Sequence, residues 1–226
     1  MTADILRVRD LLVYYDTPVS AVTAVNHISF SLKAGERLGL AGESGSGKST
    51  LALSILRLLK SPGRVAAGEV WLDDINLMTL AEEDMRQVRL ARIALIPQGS
   101  MHALNPIMRI KEQLADALQD HGVRLSKRDV AERVRDFLQC VGLQPAVADM
   151  FPHELSGGMK QRACMAIAIS LRPQVIIADE PTSALDVVVQ KQVMETLARI
   201  QQDLQAAVIL VGMTWGSWPS SWTASG

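Results

Sequence analysis

The feature that most constrains the fold is the stretch Gly-Glu-Ser-Gly-Ser-Gly-Lys-Ser-Thr at residues 42–50. It has the spacing G-x-x-x-x-G-K-[ST], with an apolar run at 38–41 before it and helix-forming residues at 51–59 after it. This order of strand, glycine-rich loop and helix distinguishes a phosphate-binding loop from a glycine-rich turn with a solvated lysine. The backbone N–H groups of such a loop and the positive end of the following helix attract polyphosphate. The sequence therefore predicts a nucleotide site.

The residues of this loop have distinct expected roles toward a bound nucleotide and Mg²⁺. We expect Lys48 to reach the outer phosphates as a point charge and to assist catalysis, and Ser49 to ligate Mg²⁺. The other expected nucleotide contacts within the loop are Gly42, Glu43, Ser44, Gly45, Ser46, Gly47 and Thr50.

Composition excludes several other classes of function. The formal net charge is -1, with 23 Lys and Arg against 24 Asp and Glu, so no basic field favours nucleic acid as a partner. Cys140 and Cys164 form no C-x-x-C pair, which argues against a disulfide framework or a zinc site and fits a reducing compartment. The sequence has neither a signal-peptide pattern at its start nor an apolar run approaching the ~20 residues that span a bilayer. We expect any membrane role to come through a partner.

Strands alternating with helices predict an α/β fold with a mostly parallel core sheet. Residues 5–33 instead alternate apolar and polar side chains in short runs, which is typical of antiparallel strands. Residues 110–121 and 126–141 have the period of amphipathic helices, which indicates a helical layer apart from the sheet. The second helix opens with the capping-box spacing of Ser126 and Asp129, whose side chains would reciprocally satisfy end N–H groups. The predicted buried strands are 38–41, 93–96, 175–178 and 207–211.

Two carboxylates, Asp179 and Glu180, follow the buried run at 175–178. A parallel sheet delivers the residues at its strand ends to the phosphate loop, so we expect this pair to lie beside it. Asp179 suits Mg²⁺ as a hard oxygen ligand, and Glu180 would act as the general base toward the water that attacks the γ-phosphate. The alternative is a pair of solvated acids with no chemical role.

A second helix start rich in glycine occurs at residues 155–162, Leu-Ser-Gly-Gly-Met-Lys-Gln-Arg. Like the phosphate loop, it predicts an anion-binding helix N-terminus. One nucleotide does not need two such cradles from one molecule, so we expect the second to serve a nucleotide held by a partner. Taken alone, the segment is also compatible with an ordinary serine N-cap followed by glycines.

Taken together, these motifs resemble the ATPase subunits of ABC transporters over residues 5–212. The matching features are the phosphate loop, Gln98 after a strand, and the segments at 155–162, 176–181 and 183–186. Within the family, the phosphate loop and the Ala-Leu-Asn-Pro run at 103–106 are similar to the oligopeptide, dipeptide and nickel importer branch.

The resemblance implies roles for the matching positions. Tyr15 would stack on adenine. Gln98 would contact Mg²⁺ and the attacking water, as a metal ligand and catalytic residue, and would couple the site to a membrane subunit. Ser156, Gly157 and Gly158 would contact the γ-phosphate held by the opposite subunit, and Asp186 would lie across the dimer interface.

The resemblance also implies an organisation into domains and a set of partners. Residues 1–212 would form a P-loop NTPase of the ABC ATPase type, with a core of 1–98 and 172–212, an antiparallel β subdomain at its N-terminus and an inserted helical subdomain at 99–171. Its partners would be a second ABC ATPase subunit, identical or a paralogue, two transmembrane permease subunits and, indirectly, an extracytoplasmic solute-binding protein. The chain would sit peripherally at the cytoplasmic side of the inner membrane.

The family pattern stops after Gly212. Where the family places a histidine that contacts the γ-phosphate, this chain has Met213, followed by a tail that contains three tryptophans. Reading the codons of the tail one base earlier restores Asp, Gly and Ala at the family's spacing. We therefore hypothesise a one-base frameshift that truncates the family pattern and leaves residues 213–226 as an aberrant tail outside the family. A shifted gene frame that does not continue as an ABC ATPase would contradict this.

Three functions are compatible with these features. The first is an ATPase subunit that couples ATP hydrolysis to import of the peptide or nickel type. The second, favoured by the missing histidine, is a nucleotide-binding remnant with impaired hydrolysis and no transport role. The third is a soluble ABC protein of DNA repair or translation, although such proteins usually carry long insertions or a second cassette. We expect ATP binding to persist and hydrolysis to be impaired.

Overall fold

The computed structural model describes residues 4–99, 103–183 and 185–212. The strands in these ranges are β1 (Asp4–Asp16), β2 (Ala21–Lys33), β3 (Arg37–Ala41), β4 (Gly63–Leu72), β5 (Ile75–Asn76), β6 (Ile93–Ile96), β7 (Val175–Asp179) and β8 (Ala207–Gly212). The α-helices are α1 (Lys48–Ile55), α2 (Glu82–Val88), α3 (Ile110–Gln119), α4 (Lys127–Cys140), α5 (Gly157–Ile169) and α6 (Val187–Leu204). None of these helices has both the length and the apolar character needed to cross a bilayer.

An antiparallel sheet, in the order β2-β1-β4-β5, forms the N-terminal layer. The short runs predicted at residues 5–33 join into two strands of 13 residues each. Bulges absorb the breaks in the pattern: Asp10 and His27 have φ angles of 50° and 49° at points where the register between β1 and β2 shifts. The predicted antiparallel layer is confirmed.

A parallel sheet, in the order β3-β8-β7-β6, forms the core. Alternate residues of β7 and β8 face two hydrophobic clusters, one shared with the antiparallel sheet and α1, the other with α3, α4, α5 and α6. The prediction of a buried strand at 38–41 is wrong in one respect. All residues of β3 are only half-buried, because β3 pairs with a single neighbour, β8, among the described strands.

A helical layer of α3, α4 and α5 packs on one side of the core, together with a short 3-10 helix at Pro145–Asp149. The backbone N–H of Asp129 donates to the Ser126 hydroxyl over 3.2 Å, so Ser126 caps α4 as predicted. The reciprocal bond differs from the prediction. The Asp129 carboxylate accepts from the Ser126 hydroxyl over 2.8 Å, and not from a backbone N–H.

α1 ends earlier than the run of helix-forming residues at 51–59 predicts. α1 stops at Ile55 because Arg57 turns to a φ of 53° and donates to the carbonyl oxygens of Leu77 and Leu80. α2 stops at Val88, and the Arg89 guanidinium donates to carbonyl oxygens just after α1. Both helix ends are thus followed by an arginine whose guanidinium donates to carbonyl oxygens outside its own helix.

The register of the core sheet brings its carboxyl ends to one edge. Ala41 lies opposite Gly212, and Asp179 lies opposite Val211. The phosphate loop leaves β3 at this edge, and the two carboxylates end β7 there. Ile96, which ends β6 opposite Ala178, leads directly to Gln98.

Candidate functional site

The phosphate loop is braced against β2 at Gly47, immediately before α1 begins. Gly47 has a φ of 88°, and a Cβ atom there would lie 2.1 Å from the carbonyl oxygen of Ala24 in β2. No side chain fits this position, and the positive φ favours glycine independently. The antiparallel sheet therefore fixes the loop where α1 presents its N-terminus.

The Lys48 ammonium is folded over the loop that carries it. Its Nζ donates to the carbonyl oxygens of Gly42 and Glu43 over 2.8 and 2.6 Å and to the Ser46 hydroxyl over 3.0 Å. An ammonium has three N–H donors, so these three acceptors can engage all of them. Phosphate oxygens would replace neutral acceptors with anionic ones, which form stronger hydrogen bonds.

Ser49 and Asp179 meet although 130 residues separate them in the chain. The Ser49 hydroxyl donates to the Asp179 carboxylate over 2.9 Å. Asp179 is 5% exposed, and this burial raises the pKa of its carboxyl, while the hydrogen bond from Ser49 acts in the opposite direction. A buried carboxylate beside a hydroxyl oxygen is a fitting donor set for Mg²⁺, because a bound cation would offset the cost of burying the charge.

Glu180 follows Asp179 in the chain, and its side chain contacts Gln98, the other residue predicted to contact the attacking water. The Gln98 Nε2 donates to the Glu180 carboxylate over 2.8 Å, across 82 residues of chain. Glu180 has a φ of 43°, a left-handed conformation that is uncommon for residues other than glycine. Its backbone is held there by bonds from Glu180 N to Val211 O and from Ser183 N to Glu180 O, of 2.9 and 3.1 Å.

Tyr15 lies next to the last residue of the loop. Its hydroxyl is 3.4 Å from the Thr50 hydroxyl, and its ring packs so closely on Gly63 of β4 that a Cβ there would lie 2.9 Å from the Tyr15 Cε1. A cavity of about 520 Å³, walled mainly by side chains of residues 53–62, opens beside the ring. The packing role of Gly63 was missed by the sequence reasoning, since only the pairing of β1 with β4 reveals it.

The remaining predicted nucleotide contacts lie on two other helix starts. Ser156 caps α5, with its hydroxyl accepting from Met159 N over 3.4 Å, and Asp186 caps α6, with its carboxylate accepting from Val189 N over 3.0 Å. Within the described part of the chain, no hydrogen bond joins residues 156–158 or Asp186 to the phosphate loop. The predicted site residues thus form two separate groups.

Two further predictions concern the C-terminal end of the chain. Met213, where the family would have a histidine, and the tail at 213–226 lie outside the described residues. Groups of three or more His, Cys, Asp or Glu side chains that could hold a metal ion are absent from the described ranges. That finding is compatible with Mg²⁺, which typically takes one or two carboxylates and completes its shell with water and phosphate oxygens.

Comparison with known proteins identifies relatives of the whole arrangement. The family described as ABC transporter matches residues 25–183. The oligopeptide transport ATP-binding protein OppD of Escherichia coli is 42% identical over 209 residues, which are 92% of this chain and 61% of OppD. The dipeptide transport ATP-binding protein DppD of Lactococcus lactis is 37% identical over 209 residues, 92% of this chain and 60% of DppD.

A solved structure of an ATP-binding cassette has the same fold as this chain. The dimeric ATP-binding cassette MJ0796, in a post-hydrolysis state bound to ADP and Pi, superimposes with a TM-score of 0.82 at 26% identity, covering 94% of this chain and 89% of that one. This chain spans less than two thirds of the length of the transport proteins it matches.

Proposed function

The chain belongs to the ABC transporter family, and from that premise we propose that it is an ATP-binding subunit that couples ATP hydrolysis to import of the peptide or nickel type. The observation that carries the proposal is the bond from the Ser49 hydroxyl to the buried Asp179 carboxylate. It joins the phosphate loop to the strand-end acids as a phosphate-binding and metal-binding site requires. The names of the relatives support a peptide cargo.

The phosphate loop and its neighbours would bind the nucleotide. Lys48 would exchange its three bonds within the loop for bonds to the outer phosphates, and the backbone of Gly42, Glu43, Ser44, Gly45, Ser46 and Gly47 would enclose them. Thr50 and Tyr15, whose hydroxyls approach each other, would hold the base side, with the tyrosine ring against adenine. Ser49, Asp179 and Gln98 would hold Mg²⁺, which when bound neutralises charge on the phosphates.

Glu180 would act as the general base for hydrolysis. Its carboxylate would accept a proton from the water that attacks the γ-phosphate. The bond from Gln98 fixes the direction of that carboxylate. Gln98 follows β6 and Glu180 follows β7, and these two strands are paired. The pairing of the strands therefore determines the distance between the amide and the carboxylate.

The second group of residues would serve a partner subunit. Ser156, Gly157, Gly158 and Asp186 would face a nucleotide held by another ABC ATPase, identical or a paralogue. The dimeric state of MJ0796 supports this. In the proposal, residues 1–98 and 172–212 form the core, and the helical subdomain at 99–171 docks on two permease subunits at the cytoplasmic side of the membrane, with a solute-binding protein as an indirect partner.

The test is to measure ATP binding and Mg²⁺-dependent phosphate release by the purified chain, alone and after co-expression with the two permease subunits of a peptide importer. We expect ATP to bind, phosphate release to require Mg²⁺, and the chain to co-purify with the permease pair. ATP binding with neither turnover nor association with the permeases would favour the nucleotide-binding alternative. Failure to bind ATP would contradict both.

A further inference from the structure

The start of α5 touches the start of α6 through Gly158 and Val189. A Cβ atom at Gly158 would lie 2.5 Å from the Val189 Cγ1 and 3.8 Å from its Cβ. Non-bonded carbon atoms attract best at about 3.5–4.0 Å, so the first of these distances is a severe overlap. Gly158 is buried, so a new methyl group would have no route outward. The contact accommodates only a glycine.

Val189 has little freedom to move away from this contact. A β-branched residue in a helix has one strongly preferred χ1 rotamer, so its Cγ atoms cannot swing aside at low cost. Its side chain also packs against the hydrophobic cluster that includes α5 and α6. Its backbone N–H donates to the Asp186 carboxylate over 3.0 Å. Any displacement of Val189 would therefore disturb the cap of α6.

Each side of the contact is anchored to its own surroundings. The Gly158 carbonyl accepts from Arg162 over 3.3 Å, and the same guanidinium donates to the Gly142 carbonyl over 3.1 Å, just after α4. On the other side, the Gln190 Nε2 donates to the Leu185 carbonyl over 3.0 Å, which ties α6 to the segment before it. The contact between Gly158 and Val189 thus joins two firmly held helix starts.

We propose that Val189 is a positioning residue that holds Asp186 at a fixed position relative to the segment 156–158. Asp186 and this segment would then contact a partner's nucleotide-binding face as one rigid unit. On this view the chain's own packing demands glycine at position 158, in addition to any contact with a nucleotide. The inference rests on the proposed function, in which Gly158 and Asp186 both face a second subunit. The same contact would pass a displacement of 156–158 to the start of α6.

The test is a double-mutant cycle of Gly158→Ala and Val189→Ala. The readouts are ATP affinity, ATP-driven self-association by sedimentation, and the Tm of each variant. Gly158→Ala should lower the Tm, because of the overlap with Val189, and weaken self-association about tenfold, within the range of coupling energies between contacting residues. Val189→Ala removes both Cγ atoms, so the double variant should recover most of the lost self-association.

The matched control is Val188→Ala. Val188 precedes Val189 in α6, but its side chain is largely exposed, at 68%. Combined with Gly158→Ala, it should restore neither the self-association nor the Tm. A restoration as large as that given by Val189→Ala would show a general effect of shortening α6 side chains and would overturn the inference.

Two outcomes separate this inference from the proposed function. If the parent chain self-associates with ATP and Val189→Ala does not rescue Gly158→Ala, the glycine is required by the nucleotide contact itself and the inference is wrong. If no variant responds to ATP but the Tm lost in Gly158→Ala returns in the double variant, the packing contact stands and the proposed function fails.

Discussion

The two groups of candidate site residues differ in how far their hydrogen bonds reach along the chain. Around the phosphate loop, Ser49 reaches Asp179 across 130 residues, and Gln98 reaches Glu180 across 82. Ser156 and Asp186, by contrast, each bond a backbone N–H three residues away in the helix that they cap. The first group is assembled by the tertiary fold, and the second is a pair of local helix starts. In the proposed function, one chain assembles the first group by itself and presents the second group to a partner subunit.

The largest effect is expected from Glu180→Gln, which tests whether the first group contains a general base. The glutamine keeps the shape and an acceptor for Gln98 but cannot take a proton, so turnover relative to the parent should fall by ~10²–10⁴-fold, the usual contribution of a general base. ATP affinity should not change. The measurements are phosphate release and equilibrium ATP binding, with the exposed Glu195→Gln of α6 as control. A loss of ATP binding would make Glu180 a structural member of the first group.

Lys48→Ala should have the next largest effect. Hydrogen bonds to charged groups contribute about 1.5–3 kcal/mol, so ATP affinity should fall by roughly 10–100-fold. Calorimetric titration with ATP measures this, and Lys191→Ala on the exposed face of α6 provides the control. If affinity stayed at the parent value, the bonds of Lys48 to Gly42, Glu43 and Ser46 would be its whole role.

Ser156→Ala and Ser126→Ala compare the second group with an ordinary cap. Both hydroxyls accept from the N–H three residues on, over 3.4 and 3.2 Å. Each substitution should cost about 1 kcal/mol of the free energy of unfolding, measured with urea. Only Ser156→Ala should also weaken ATP-driven self-association. Equal behaviour of the two variants in that assay would mean that Ser156 only caps α5 and that the second group has no role toward a partner.

Asp179→Asn should change stability by no more than the cap substitutions do, and it should raise the stability. Burial raises the pKa of Asp179, so the folded chain holds this proton more tightly than the unfolded chain does. The stabilising contribution of the group is therefore full below its unfolded pKa and is lost as the pH rises through the folded value. The asparagine avoids that loss, so Tm at pH 7 should rise by about 2–4 °C if the gain is near 1 kcal/mol.

This gain should disappear in acid. Below the unfolded pKa, near 3.9 for an aspartate, both parent and variant carry a neutral side chain at position 179. The exposed Asp116→Asn in α3 is the control and should change Tm at neither pH. A destabilised Asp179→Asn at pH 7 would mean that the ionised carboxylate contributes more through Ser49 than burial costs it.

The positions of most residues in the first group can be predicted from the sequence, because they depend on the topology of the sheet. Once a strand, a glycine-rich loop and a helix are recognised, parallel pairing brings Asp179 and Glu180 to the same edge of the sheet. The details set by contacts between distant segments do not follow. Nothing in the spacing of residues 42–50 shows that Ala24 presses on Gly47, or that Val189 presses on Gly158. Those contacts depend on how layers pack, and packing leaves no local period in the sequence.

The pairing of β3 has a consequence for the order in which the protein forms during its synthesis. β3 carries the phosphate loop, yet its one partner among the described strands is β8, the last of them. At about 5–20 residues per second, the ribosome makes β3 on the order of ten seconds or more before β8 exists. Until then the loop's strand has open edges, and such long-range pairing is slow to form. We therefore expect the nascent chain to complete the proposed nucleotide site late and to be open to misassembly or chaperone binding until then.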